Sequence, residues 1–188
     1  MVTFQGNLIK QQEVYSYINL AELNPYQKDD RATFNAIRRM FKTPDVSLMN
    51  DIFQYEGTTT RNLHSRYFAL TEQQNGFKKI YPSSVLAVAK TTSMGKDDVF
   101  IDMLQVNPRY IFTQKRKLKR TPETQKHCGT NAIEALQSFF KDKTLWLDAP
   151  KNLVYYFRRL GFEIAKFSEG NNDVLMKYTH QLKAGMLK

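Results

Sequence analysis

Hydrophobic residues in the first third of the chain recur every three or four positions, which is helical spacing. This spacing occurs in three sets, at Val14–Ala21, Phe34–Phe41 and Val46–Phe53. Asp30 precedes the second set as a candidate N-cap, and Thr43 precedes the third in the same position. The pattern therefore predicts that the first third is helical.

The pattern changes to strand-like segments in the middle of the chain. Three such segments follow one another at Ser65–Glu72, Ser83–Thr92 and Val99–Val106. The second is an almost continuous apolar run, which is typical of a strand buried on both faces. Because each connection is too short to contain a crossover helix, we expect the three strands to form an antiparallel meander.

Helical and strand-like segments alternate in the last third. A helix is expected to start near Gly129, followed by a short strand at Thr144–Leu147 and a helix over Leu153–Leu160 that ends at Gly161. The segments "FEIAKF" and "DVLMKY" then read as two closing strands. The order predicts an α/β fold with a mixed, mostly antiparallel sheet flanked by helices, in one domain spanning residues 1–188.

Charge is concentrated in one stretch. The 188 residues carry a formal net charge of +10, and 41% of them are hydrophobic, which is enough for a full core. The segment 109–127 holds seven Lys or Arg and one Glu, and Lys115–Arg120 contributes five of those bases. We interpret 109–127 as a basic loop insertion that attracts phosphate groups, with a solvated surface loop as the alternative.

The single cysteine, Cys128, cannot form an internal disulfide, so we expect a reducing compartment. The N-terminal residues contain no apolar segment of the signal-peptide type, and the longest purely apolar run is Val85–Ala89. These features predict a cytoplasmic protein with no membrane partner.

The residues around Gly129 admit three kinds of site. Metal binding needs three or four ligands at short spacings, but His127 and Cys128 are the only neighbouring pair, so no metal is expected. Cys128 at a helix N-terminus is a candidate nucleophile, with packing as its alternative. A glycine that opens a helix can instead hold a phosphate on free backbone N–H groups, and Lys126 adds positive charge.

A wider set of motifs favours the phosphate site. The segments "IDMLQVNPRY", "KHCGTNAIEAL" and "YYFRRLGFEI" resemble the GNAT superfamily of acyl-CoA-dependent N-acetyltransferases. Lys126, Gly129 and Asn131 fall on that family's "R/Q-x-x-G-x-G/A" signature. Its "F-Y-x-x-L-G-F" helix end corresponds to residues 156–162, where Tyr156 and Phe157 take the first two places. The resemblance covers residues 85–162, about half of the chain.

The resemblance implies acetyl-CoA or CoA as the co-substrate and direct acyl transfer to an amine. The strand end and the glycine loop are implied to contact CoA, as is an asparagine at the last helix, where a plain helix cap is the alternative. The implied CoA-contacting residues are Leu104, Gln105, Val106, Lys126, His127, Cys128, Gly129, Thr130, Asn131 and Asn152.

The implied catalytic groups are a carboxylate and a tyrosine. Asp102 lies at the family's frequent acidic position and is the candidate general base, with a solvent-facing or lysine-paired carboxylate as the alternative. Phe157 stands where the family often has a tyrosine acid, so Tyr155 or Tyr156 would have to replace it. Because successive helical residues are rotated by about 100°, we expect Tyr156 to pack in the core and Tyr155 to be less constrained.

Two functions remain compatible with the sequence. The first is an acyl-CoA-dependent N-acyltransferase whose amine acceptor is not identified. The second is a GNAT-fold binding protein without catalysis, which uses Lys115–Arg120 to bind nucleic acid or an acidic partner.

Overall fold

The protein is built around one eight-stranded sheet, here in a computed structural model that describes residues 8–9, 18–25, 27–41, 65–73, 80–110, 127–167 and 172–180. The strands are β1 (Leu8–Ile9), β2 (Ile18–Leu23), β3 (Ser65–Glu72), β4 (Val85–Ser93), β5 (Asp98–Val106), β6 (Thr144–Pro150), β7 (Glu163–Phe167) and β8 (Asp173–Thr179). Their order across the sheet is β1-β2-β3-β4-β5-β6-β8-β7. Only β5 and β6 run parallel among these neighbours, which confirms the predicted mixed, mostly antiparallel sheet.

Helices flank this sheet on both faces. The described helices are α1 (Lys28–Phe41), α2 (Cys128–Phe139) and α3 (Val154–Arg159), with single 3₁₀ turns at Pro82–Ser84, Pro108–Tyr110 and Lys151–Leu153. The N-cap predicted at Asp30 is wrong, because α1 begins two residues earlier. The Asp30 carboxylate instead accepts a hydrogen bond from the backbone N–H of Asn24 at 2.8 Å, which ties the preceding turn to the helix.

The predicted meander is confirmed. Strand β3 has the bounds expected from its sequence, β4 starts two residues later than expected, and β5 one residue earlier. Adjacent strands pair antiparallel, with Ala69 opposite Val88 and Ala89 opposite Leu104. The short connections allow no other arrangement, because a parallel neighbour would need a crossover.

The helix predicted over Val14–Ala21 is wrong at its C-terminal end, where the chain forms β2 instead. Five of the six residues of β2 are buried, and the strand lies between β1 and β3. A strand covered on both faces has apolar residues at consecutive positions, so its pattern does not alternate and is easily read as helical. The first third is thus mixed in the described residues, and the helix predicted after Thr43 lies outside them.

Helix α1 covers one face of the sheet with the apolar side predicted for it. Phe34, Ile37 and Phe41 are all at most 1% exposed, and Phe34 meets Tyr67 edge to face at 5.9 Å. Burial of side chains of this size contributes about 1.5–3 kcal/mol each. This cluster fixes α1 against β2, β3 and β4.

Helices α2 and α3 cover the opposite face. Helix α2 buries Ala132, Ile133 and Leu136, which pack with Leu145 of β6 and Met176 of β8. The chain passes from β5 through α2 into β6, and this crossover makes the two strands parallel. The amino end of α2 therefore lies beside the carboxyl end of β5.

Helix α3 ends as its sequence predicts. Gly161 has a φ of 87°, a left-handed conformation that favours glycine. The N–H of Phe162 donates to the carbonyl of Phe157 at 3.1 Å, which closes the last turn. A β-carbon at Gly161 would also lie 3.1 Å from the Tyr178 ring, so the turn packs closely on β8.

None of the described helices combines the length and apolar character that a membrane crossing requires.

Candidate active site

The central feature of the site is a gap between the two parallel strands. Strands β5 and β6 pair over three residues, from Asp98 opposite Thr144 to Phe100 opposite Trp146. Beyond Phe100 the two strands separate, while β5 remains paired to β4. A cavity of about 720 Å³ lies in this gap. Where the two strands are still paired, the indole N–H of Trp146 on β6 donates to the Asp98 carboxylate on β5 at 2.7 Å.

The cavity is lined by the separated parts of both strands, by the amino end of α2 and by α3. The described lining residues are Ile101, Asp102, Met103, Leu104, Gln105, Val106, Tyr110, His127, Cys128, Gly129, Thr130, Ile133, Leu147, Asp148, Pro150, Leu153, Tyr156 and Phe157. Residues predicted separately from the strand end and from the glycine loop thus meet in one cavity.

The amino end of α2 has a geometry suited to an anion. His127, the N-cap, has φ 59° and ψ 29°, the left-handed region, and Cys128 begins the right-handed helix. A left-handed residue followed by right-handed ones turns successive N–H groups toward one point, which forms an anion-binding concavity. The first N–H groups of a helix have no carbonyl partner within it, and the helix dipole adds positive potential there.

Gly129 allows other groups to approach this helix end closely. A β-carbon at this position would lie 3.3 Å from the Tyr156 hydroxyl and 3.4 Å from Cγ2 of Val106. Both neighbours are cavity residues. A larger side chain here would have to displace the tyrosine hydroxyl or intrude on the cavity.

Tyr156 reaches the cavity rather than packing wholly in the core, contrary to our expectation. Its hydroxyl forms a hydrogen bond with Thr130 Oγ1 at 3.2 Å, at the first turn of α2. Burial raises the pKa of Tyr156, partly offset by the Thr130 hydrogen bond, so the phenol stays protonated at neutral pH. Phe157 packs against Tyr156 at 5.1 Å and against Phe162 at 5.8 Å.

The position of α3 along α2 is fixed at a second point. Gln137, two turns beyond Thr130 on α2, is buried and donates through Nε2 to the carbonyl of Leu160 at 2.8 Å. The six-residue helix α3 is thus held at both ends, by Thr130 near its start and by Gln137 at its C-terminus. This placement turns Tyr156 toward the cavity. Tyr155, by contrast, is 74% exposed and does not line it.

Asp102 lies at an irregularity of β5. Lys90 pairs with Met103 and Thr91 with Ile101, so Asp102 is the extra residue of a β-bulge. Its carboxylate is exposed, lines the cavity and accepts a hydrogen bond from Thr92 Oγ1 at 2.7 Å. The bulge turns this side chain toward the gap, where a water or an amine can reach it.

Cys128 is suited to packing rather than to nucleophilic chemistry. It is 2% exposed and belongs to the core cluster beneath α2. Burial raises the pKa of the Cys128 thiol to about 11, so almost none of it is thiolate at neutral pH. Among the described residues, no three His, Cys, Asp or Glu side chains are grouped so that they could hold a metal ion.

Only some of the other residues implied to contact CoA line the cavity. Leu104, Gln105 and Val106 line the cavity, as do His127, Gly129 and Thr130. Asn131 is 7% exposed within the first turn of α2 and is not a lining residue. Asn152 is exposed in the 3₁₀ turn before α3, whose N-cap is Leu153, so it does not cap that helix. Lys126 and Lys115–Arg120 lie outside the described residues.

Sequence reasoning missed two polar cavity residues, Tyr110 and Asp148. Tyr110 follows the "NP" turn, where Asn107 accepts a bond from the Arg109 N–H at 3.1 Å, and burial raises the Tyr110 pKa. Asp148 directly follows the short apolar strand expected at Thr144–Leu147. The position of a polar residue at the end of a predicted strand was the available signal for Asp148.

Comparison with known proteins identifies the fold. No protein-family model and no curated protein sequence matches this chain. The ribosomal-protein-S18-alanine N-acetyltransferase of Escherichia coli superposes with a TM-score of 0.50 at 18% identity, over 91% of this chain and 99% of that one. An acetyltransferase from Streptococcus agalactiae gives 0.50 at 10% identity, over 88% and 99%.

A third structure shows the same arrangement. A probable acetyltransferase of the GNAT family from Chromobacterium violaceum gives a TM-score of 0.51 at 12% identity, over 91% of this chain and 84% of that one. The overall architecture of the chain is thus that of known structures. This chain has the fold of the GNAT acetyltransferases, in a form far diverged in sequence.

Proposed function

We propose that this protein is an acyl-CoA-dependent N-acyltransferase, with acetyl-CoA as the expected donor and an amine as the acceptor. The observation that carries the proposal is the gap between β5 and β6, which opens at the amino end of α2 and contains the Tyr156 hydroxyl. A fold by itself does not define an activity. This cavity adds an anion-binding helix end, an apolar slot and polar groups to the fold.

The residues present fit the phosphate end of CoA. The left-handed His127 and the first turn of α2 direct N–H groups to one point, and Gly129 carries no side chain that would obstruct a phosphate there. Backbone N–H groups and the helix dipole together bind pyrophosphate without requiring a cationic side chain.

The slot fits the pantetheine arm. Its walls include Leu104 and Val106 on β5, Ile133 on α2 and Leu147 on β6. Because β5 has no paired strand beyond Phe100 on this side, its backbone can hydrogen-bond to an extended amide chain as a strand would. Bound acyl-CoA would supply an activated thioester carbonyl in this slot.

Asp102 is positioned to act as the general base. In the transfer a bond forms between the amine nitrogen and the acyl carbon, the carbon–sulfur bond breaks, and the amine gives up a proton. The exposed Asp102 carboxylate can accept that proton, directly or through a water, while Thr92 holds one of its oxygens. The bulge keeps this carboxylate in the cavity.

Tyr156 is the group proposed to assist the departing sulfur. Tyr156 lines the cavity, where its hydroxyl bonds to Thr130, and its raised pKa keeps it a donor at neutral pH. A neutral phenol can donate a hydrogen bond to the sulfur as negative charge develops, and can supply its proton. Tyr156 thus takes the role that the resemblance assigned to position 157.

Cys128 supports direct transfer rather than a covalent acyl-enzyme. Its thiol is buried and its raised pKa leaves it protonated, which removes the most nucleophilic side chain of the cavity from consideration. Positioning of the amine and the thioester in one slot then has to provide most of the rate acceleration.

Isothermal titration of acetyl-CoA and CoA into the purified protein tests the proposal. We expect micromolar binding by the wild type and none by Gly129→Val, whose side chain would occupy the space of the Tyr156 hydroxyl. Ser138→Val is the matched control, because Ser138 is exposed on the same helix and lies outside the cavity. Thermal melts check that both variants are folded.

Two results would contradict the proposal. Normal CoA binding by Gly129→Val would show that the phosphate site is not at the amino end of α2. If the wild type did not bind acetyl-CoA at millimolar concentration, the proposed transferase function would be wrong. A nucleic-acid titration would then test the binding-protein alternative.

A further inference from the structure

The cavity has two chemically different sides. Residues alternate in direction along a strand, so Asp148 points away from the face on which Leu147 packs beneath α2. Val99 and Ile101 face α2, so Phe100 between them faces the other side of the sheet. Thr92 pairs with Phe100 and shares that side, and its hydroxyl bonds to Asp102. Asp102 therefore lies on the same side as Asp148. The proposed phosphate site is on the α2 side, and both carboxylates are on the other.

The described residues that line the cavity carry a charge opposite to the net charge of the chain. The chain carries a net charge of +10, yet its described lining residues include no lysine or arginine. Asp102 and Asp148 are the two carboxylates among them. These two carboxylates therefore favour a cation beside them on this side of the gap.

The Asp148 carboxylate is available to a ligand, unlike the nearby carboxylates of Asp98 and Asp102, which accept hydrogen bonds from other side chains. Asp98, on the same face two strand positions before the gap, accepts the Trp146 indole hydrogen bond at 2.7 Å. Asp102 is held by Thr92. The exposed Asp148 carboxylate makes no hydrogen bond or ion pair within the described part of the chain, and its backbone is fixed by pairing with Leu175 of β8.

We infer that Asp148 determines acceptor specificity and that the acceptor is an aliphatic amine with a second cationic group, such as a diamine or polyamine. This inference rests on the proposed function. One nitrogen gives up its proton near Asp102 and attacks the acyl carbon, while the second stays protonated and pairs with Asp148. Because the two carboxylates lie on different strands at the separated end of the gap, they can bind two separate nitrogens of one chain.

Two acceptors of equal length test the inference. Putrescine and butylamine share a four-carbon chain and differ at one end, where putrescine carries a second ammonium. Acetyl transfer is followed as release of the CoA thiol. We expect the wild type to prefer putrescine by about tenfold in kcat/KM, the effect of one charge-assisted hydrogen bond. Added salt should reduce this preference by screening the ion pair.

Asp148→Asn should abolish the preference by raising KM for putrescine far more than KM for butylamine. Asp148→Glu should keep part of the preference, since it retains the charge. The matched control is Asp97→Asn, which removes the same charge at an exposed turn residue outside the cavity and should leave the preference intact.

The inference and the proposed function fail in different ways. Equal use of both amines by the wild type, or an unchanged preference in Asp148→Asn, would overturn the inference and leave the transferase standing. Binding of acetyl-CoA without transfer to either amine would also overturn it. Absence of acetyl-CoA binding in the titration would overturn the proposed function itself.

Discussion

Replacing Tyr156 by Phe removes one oxygen from the cavity and leaves the aromatic packing in place. The lost hydroxyl makes one described hydrogen bond, to Thr130 at 3.2 Å, while the ring keeps its contact with Phe157 at 5.1 Å. A neutral hydrogen bond of this kind contributes about 0.5–1.5 kcal/mol to the free energy of unfolding. The variant should therefore fold, with a small loss of stability.

The effect on catalysis should be much larger. If the hydroxyl assists the departing sulfur, kcat should fall by about 10²–10⁴-fold, the usual contribution of a positioned acid. KM for acetyl-CoA should stay the same, because the interaction forms in the transition state. Since burial raises the pKa of Tyr156, the alkaline fall in the wild-type kcat should lie above the ordinary tyrosine value of about 10.

The assay is acetyl transfer at saturating acetyl-CoA, followed by thiol release across the alkaline range. Tyr155→Phe is the matched control, because Tyr155 is the adjacent residue, is 74% exposed and does not line the cavity. A kcat of Tyr156→Phe within about threefold of wild type would refute the assignment, since a general acid contributes far more than that. A loss confined to Tyr155→Phe would transfer the role to that residue.

Three further predictions concern stability. Because burial raises the pKa of Cys128 from 9.0 to about 11, the unfolded chain ionises first, and stability should fall by up to about 3 kcal/mol as pH rises through that range. Cys128→Ala should flatten this decline in pH-dependent melts. Arg66 makes two bonds to Glu22, at 2.8 and 2.6 Å, and stacks 4.7 Å from the Phe139 ring. Arg66→Lys should thus lower the urea-derived stability by about 1–2 kcal/mol, whereas Arg158→Lys at an exposed site should not. Ile37→Ala, at a side chain that is 0% exposed, should cost about 2–5 kcal/mol in the same assay.

Local pattern and short connections were enough to predict most of the sheet. The first and last residues of strand β3 could be predicted from its sequence. The meander could be predicted because its loops are too short for a crossover. Strand β2 could not be predicted this way. Asn19 is buried in it and donates to the Gln73 carbonyl at 2.8 Å, a partner 54 residues away that no local pattern reveals.

The parts of the candidate site that lie in sequence motifs could be predicted. The side-chain directions that depend on how α3 is rotated against α2 could not. The glycine loop and the end of β5 meet as the resemblance implied. The orientation of Tyr156 follows from Thr130 and Gln137, two contacts between helices that are distant in sequence. Asp148 follows a predicted strand, but the sequence did not show that it faces the same gap as Asp102, because this depends on where β5 and β6 stop pairing.

The short parallel contact between β5 and β6 also bears on how cooperatively the molecule unfolds. Three residue pairs join a five-stranded part of the sheet, β1 to β5, to the three-stranded part formed by β6, β8 and β7. The buried core beneath α2 spans this seam and also links the two parts. Because the seam has fewer paired residues than the strand contacts on either side of it, we expect the sheet to open there first. A molecule bound along the gap would join the two parts, so ligand binding should make unfolding more nearly all-or-none.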